Sequence, residues 1–118
     1  MKPGYLYAYP YRDGYLAYKV FAVTLTETFS VIHITLFAAL FDKPEEVDIT
    51  SETPLLMEHI PIKNEFLAGG SLPVKELPIY SHEEQIYKNW LREWNEERAP
   101  VYAITVEELI RELVSSGE

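Results

Sequence analysis

The sequence predicts an α+β domain, a small twisted antiparallel sheet covered by two C-terminal helices. Three observations predict it. Tyr5, Tyr7, Tyr9 and Tyr11 alternate strictly and run into Asp13-Gly14, and a period of two places the four rings on one face of a strand. Strand-like patterns fill the first third of the chain and helix-like ones the last. Ser81-His82-Glu83-Glu84 and Thr105-Val106-Glu107-Glu108 both have the form of a capping box, each followed by an apolar stripe of helical spacing.

The opening hairpin spans residues 4–24, with strands at 4–11 and 15–24. Asp-Gly suits a two-residue type I′ turn. That turn sets Arg12 opposite Tyr15, Tyr11 opposite Leu16, Tyr9 opposite Tyr18 and Tyr7 opposite Val20. One face then carries the tyrosines with Leu16, Tyr18 and Val20. The other carries Leu6, Ala8, Ala17, Phe21 and one charge, Lys19. With both faces apolar, and small residues at Ala8 and Ala17, a curved SH3-like barrel is the alternative to an open sheet.

A third strand at 29–37 puts Ile32, Ile34 and Leu36 on one face and Val31, His33 and Thr35 on the other. Pro44 sits where a short helical turn would begin, with Glu45 and Glu46 behind it. Residues 42–80 are irregular, broken by Pro54, Pro61, Pro73, Pro78 and Gly69-Gly70, with short strands expected near 58–62 and 72–74. A helix at 82–96 aligns Ile86, Tyr87, Trp90, Leu91 and Trp94, and the spacing sends Ile86, Trp90 and Trp94 into the main core. A short strand at 99–104 leads to a helix at 106–116. That helix turns Val106, Leu109, Ile110, Leu113 and Val114 inward and stops at Gly117.

A chain of 118 residues suits one domain. It has no cysteine, and so no disulfide framework, thiolate metal site or cysteine nucleophile. With no basic-then-apolar leader pattern at its start, a cytoplasmic location is the expectation. The net charge is −9, from ten basic and nineteen acidic residues, and it is uneven. Residues 1–41 hold Lys2, Arg12 and Lys19 against Asp13 and Glu27, so the other seven basic and seventeen acidic residues all lie beyond. Such a surface repels phosphate backbones and anionic lipid, which argues against nucleic-acid and membrane partners and favours a basic protein.

Catalytic patterns are sparse. His33, His59 and His82 with a carboxylate would supply the ligands of a histidine-dependent metal hydrolase, but none has metal-type spacing. They read as a strand residue, a loop anchor and a capping residue, so the expectation is no metal, no cofactor and no catalytic residue. The adjacent pairs Glu45-Glu46, Glu83-Glu84, Glu96-Glu97 and Glu107-Glu108 point about 100° apart when helical and do not face each other. Gly69-Gly70 lacks the Lys-Ser/Thr of a phosphate loop. The candidates for partner contact are the rings of Tyr5, Tyr7, Tyr9, Tyr11 and Tyr18 and the acids Asp42, Glu45, Glu46 and Asp48. The tyrosine face also reads as a half-buried sheet surface beneath the Trp90/Trp94 helix.

Gly4-Tyr5-Leu6-Tyr7-Ala8-Tyr9-Pro10, followed by Asp13-Gly14-Tyr15-Leu16-Ala17-Tyr18-Lys19-Val20, resembles the start of some bacterial toxin-immunity proteins. The stretch from Val31 to Asp48, with Glu58-His59-Ile60-Pro61-Ile62 and Tyr87-Lys88-Asn89-Trp90, is similar to a group of uncharacterised bacterial proteins. The return strand departs from the first pattern in lacking a glycine after Tyr18. The resemblance implies an SH3-like barrel that binds a cognate toxin, and it carries over no catalytic residue. The sequence thus points first to a non-enzymatic protein-binding domain and second to an accessory domain for a small molecule or peptide. Homo-oligomerisation stays open.

Overall fold

Alternation in the first 25 residues builds the hairpin as expected. In the computed structural model, Tyr5–Tyr11 (β1) pairs antiparallel with Gly14–Leu25 (β2). The structure describes residues 1–67 and 69–116, with side chains described as far as Leu113. Ser30–Phe41 (β3), Leu55–Lys63 (β4) and Leu72–Glu76 (β5) complete a five-stranded antiparallel sheet of order β4-β3-β2-β1-β5. Strands come first and the helices Ser81–Asn95 (α1) and Val106–Ser116 (α2) last, an α+β fold. Among the described residues no pairing joins β4 to β5, which form the two edges of the sheet.

The hairpin register differs from expectation by two residues. Tyr11 pairs with Gly14, Tyr9 with Leu16, Tyr7 with Tyr18 and Tyr5 with Val20. The turn residues are therefore Arg12 and Asp13, and Arg12 alone takes a positive φ, 55°. One positive φ at the first central position has the sign pattern of a II′ turn rather than I′. Gly14 serves a different need: a Cβ there would lie 2.5 Å from the Phe41 carbonyl oxygen of β3. A slip of two preserves side-chain parity, so the faces come out as the alternation predicts.

One face packs Tyr7, Tyr9, Leu16, Tyr18, Val20, Ile32, Ile34, Leu36, Ile60 and Ile62 against Leu67 and against Val106, Leu109 and Ile110 of α2. The tyrosine face is thus covered by α2, not by the tryptophan helix. Helix α1 lies across the opposite face, over Lys19, Phe21 and His33. There Trp90 is buried with its ring 4.5 Å from the His33 ring and its indole N–H donating to the Pro100 carbonyl. Trp90 is buried, but apart from the main apolar cluster, and Ile86 and Trp94 are half-buried. Leu6, Ala8, Ala17, Phe37 and Val47 form a second cluster, packed against Ile49, Val74 and Leu77.

Helix α1 begins one residue early. Tyr80 is the N-cap and Glu83 returns its carboxylate to the Tyr80 N–H at 2.8 Å, in place of Ser81 with Glu84. Helix α2 is capped as expected, Thr105 Oγ1 accepting from the Glu108 N–H. The Pro44–Glu46 turn also forms as read. The strand expected at 99–104 shrinks to one bridge. Tyr102 donates its N–H to Pro61 and accepts from Lys63, and so covers the last residues of β4. The Val114 side chain and Gly117 lie outside the described residues.

Candidate functional site

The α1-covered face collects nearly all the polar chemistry of the interior, and two strand irregularities put it there. The β2–β3 register shifts between Val20 and Ala22. The extra residue reverses the alternation beyond it, so Val23 joins the tyrosine-side core and Thr24 turns toward α1. The β3–β4 register shifts between Ile34 and Leu36, where Thr35 Oγ1 donates to the Glu58 carbonyl at 2.9 Å. That bulge leaves Met57 on the core side and His59 on the other.

His33 and His59 consequently meet. Their rings stack at 5.1 Å, and His33 Nδ1 shares a 2.9 Å hydrogen bond with His59 Nε2. His33 Nε2 continues to Thr24 Oγ1 at 2.9 Å, and Thr24 Oγ1 to the Tyr87 hydroxyl at 3.0 Å. Burial lowers the His33 pKa to about 3, helped by His59, and burial alone lowers that of His59 to about 4. Both rings are neutral at pH 7, so the four groups form a chain of donors and acceptors, with the Trp90 ring packed on His33 in its middle. The expectation of three unrelated histidines fails for this pair, because β4 pairs with β3, Ile34 opposite Ile60 and His33 opposite Pro61, and so brings His59 beside His33. His82 stays apart, stacked on Tyr80 at 5.9 Å. Among the described residues no three His, Asp or Glu side chains converge as a metal site needs.

Beside this chain lies an ion pair, Lys19 Nζ to Glu83 Oε1 at 2.7 Å, with both side chains nearly inaccessible. Lys19 also donates to the Pro78 carbonyl at 2.5 Å and stands 4.4 Å from the centre of the Tyr80 ring. Sequence reading missed this pair. The signal was Lys19 itself, a lone charge between Tyr18 and Val20 in an otherwise apolar hairpin.

The pair floors a groove of about 720 Å³. Phe37, Ile49, Leu55, Leu77 and Ile86 give it apolar walls, and Thr50, Ser51, Thr53, Ser81 and Glu58 a polar rim. The volume is within the roughly 300–1,000 Å³ of ordinary ligand clefts. No family model, curated protein or solved structure matches this chain.

The residues singled out for partner contact divide sharply. Tyr7, Tyr9 and Tyr18 are buried in the core and Tyr5 and Tyr11 half-buried. Burial, then the nearby Glu107 carboxylate, raises the Tyr9 pKa to about 12, and burial raises that of Tyr18 as well. Tyr18 is further tied by its hydroxyl to Ser71 Oγ at 2.8 Å. These three rings are core residues because α2, the N-terminal residues and the segment around Leu67 and Ser71 together cover them. Asp42, Glu45, Glu46 and Asp48 are exposed, as are Glu52 and Glu58. Asp48 pairs with Lys75, which lowers its pKa. The acidic run thus borders the groove, with Ile49 to Leu55 as its wall.

Proposed function

We propose that this chain is a non-enzymatic protein-binding domain whose acidic 42–58 segment and adjoining groove receive a basic partner. The observation that carries the reading is the position of the acids: Asp42, Glu45, Glu46, Asp48, Glu52 and Glu58 are all exposed, with Lys43 the sole basic residue between them. Exposed Leu40, Leu55 and Leu56 add apolar area at the strand ends that flank this connection. Charge of one sign steers encounter, and apolar area beside it supplies contact that persists. The resemblance of the opening hairpin to immunity proteins supports a toxin as the basic partner, met in the cytoplasm. The groove supports the second reading, a peptide- or small-molecule-binding accessory domain.

The partner does not add a strand. Both edges of the sheet are blunted: β4 carries Pro61 and two register shifts, and β5 carries Pro73 opposite a shift in β1. The test passes pools of random twelve-residue peptides, one Lys/Arg-rich and one Asp/Glu-rich, over immobilised protein. The basic pool is retained at low salt and released as salt rises. Equal retention of both pools, or of neither, contradicts the reading.

A further inference from the structure

We propose that the groove between α1 and the 49–55 segment takes one apolar side chain from an extended basic segment of the partner. Beside that side chain, a backbone or side-chain N–H of the segment would donate to Glu83 Oε2. The inference rests on the basic-partner reading and adds the anchor to it.

Glu83 stands at the floor of the groove. It is 4% exposed, and both of its hydrogen bonds, from Lys19 and from the Tyr80 N–H, fall on Oε1. Among the described residues no buried side-chain oxygen lacks a partner, and Oε2 has none within the chain. Oε2 therefore keeps some access to solvent, and Glu83 lines the groove. A carboxylate oxygen in so enclosed a place is a strong acceptor.

The charge pattern selects the kind of donor. Lys19 neutralises Glu83, so the floor carries no net charge and a second cation there would meet the Lys19 ammonium at close range. A neutral N–H fits better. Cations belong at the rim, where Glu58 lines the groove and Glu52 stands between the lining residues Ser51 and Thr53. The walls between rim and floor are Phe37, Ile49, Leu55, Leu77 and Ile86, so the part of the ligand that passes them is apolar. An apolar residue flanked by basic ones matches all three levels: alternate residues of an extended chain point to opposite sides, and the flanking pair stays at the surface.

The probe is a capped tripeptide, acetyl-Lys-Leu-Lys-amide, titrated into ¹⁵N-labelled protein. The expected result is saturable amide shifts at Thr50, Ser51, Thr53, Leu55 and Glu83. Acetyl-Lys-Asp-Lys-amide and acetyl-Glu-Leu-Glu-amide should bind at least about tenfold more weakly. Glu83→Gln removes the acceptor but also disturbs Lys19, so Leu55→Asp, at a half-exposed wall position, is the second variant. It should weaken acetyl-Lys-Leu-Lys-amide by a similar factor and leave the spectrum otherwise folded. Equal response to the Leu and Asp peptides overturns the apolar anchor. Shifts confined to residues 42–48 overturn the groove as the site while leaving the acidic-face reading intact. Absence of any groove shift overturns the inference, and retention of the peptide pools decides the broader reading separately.

Discussion

His33 Nδ1 and His59 Nε2 face each other at 2.9 Å, two neutral imidazoles joined by one proton beneath Trp90. Each has one donor and one acceptor nitrogen, so the pair is satisfied only while one nitrogen of the facing two is bare. A first added proton keeps a donor facing an acceptor. A second sets two N–H groups against each other.

That arrangement fixes a pH dependence. Both histidines have folded-state pKa values below the ordinary 6.5, His33 at about 3 and His59 at about 4. Above pH 6.5 folded and unfolded chains are both neutral at these sites and stability is full. Below 6.5 the unfolded chain takes up protons that the folded one declines, so stability falls until the folded values are reached. Urea denaturation should lose on the order of 2–4 kcal/mol between pH 6.5 and 5. Imidazole NMR shifts should show both rings still neutral at pH 5.5.

Lys19 and Glu83 should behave as a unit. Lys19→Met or Glu83→Leu alone leaves a buried charge without its partner and should cost about 3–5 kcal/mol. The double variant should cost well under the sum, by chemical denaturation. Additive losses would mean that the two charges act independently.

The turn gives a paired test of backbone against packing. Gly14→Ala should destabilise by more than about 1 kcal/mol, because the new methyl meets the Phe41 carbonyl. Arg12→Gly should be neutral or stabilise by up to about 1 kcal/mol, because Arg12 holds a positive φ. Had the Asp13-Gly14 turn formed as the sequence suggested, glycine would be needed for its φ instead.

Truncating the tyrosines should reach stability before it reaches binding. Tyr18→Ala should cost about 3–5 kcal/mol by thermal or urea unfolding, as loss of a large buried ring does. Tyr18→Phe should cost about 1 kcal/mol for the bond to Ser71. Trp90→Ala, equally buried, should also lose about 3–5 kcal/mol.

Much of the sheet was legible in the sequence because alternation is local. The two faces of the hairpin and of β3 follow from a period of two, and a register error of two residues leaves them unchanged. The helices were legible from caps and spacing. What local pattern cannot supply is which helix covers which face. α1 and α2 both carry apolar stripes, and their placement depends on the path of residues 96–105, which holds just one bridge to the sheet. Tyr7, Tyr9 and Tyr18 are core, as the covered-face reading has it, but beneath α2 rather than α1. The bulges at Phe21 and at Glu58-His59 were equally silent, since no glycine or proline marks them, yet they join Thr24, His33 and His59. Lys19 was visible as an isolated charge. Its partner, 64 residues away, was not. The acids from Asp42 to Glu58 needed no fold to be read, because a dense run of like charge stays in water.

Steering of a basic partner by that acidic run can be measured directly. The measurement is the stopped-flow association rate of a fluorescein-labelled peptide drawn from the retained basic pool, taken from about 20 to 300 mM NaCl. At these ionic strengths the Debye length falls from roughly 20 to 6 Å. The comparison is between the natural chain and the variant Asp42→Asn, Glu45→Gln, Glu46→Gln, Asp48→Asn. The natural chain should slow about tenfold or more across that range. The variant should be several-fold slower at low salt, nearly indifferent to salt, and unchanged in its unfolding midpoint. Equal rates and equal salt slopes for the two would contradict the account and leave the acidic surface a matter of solubility.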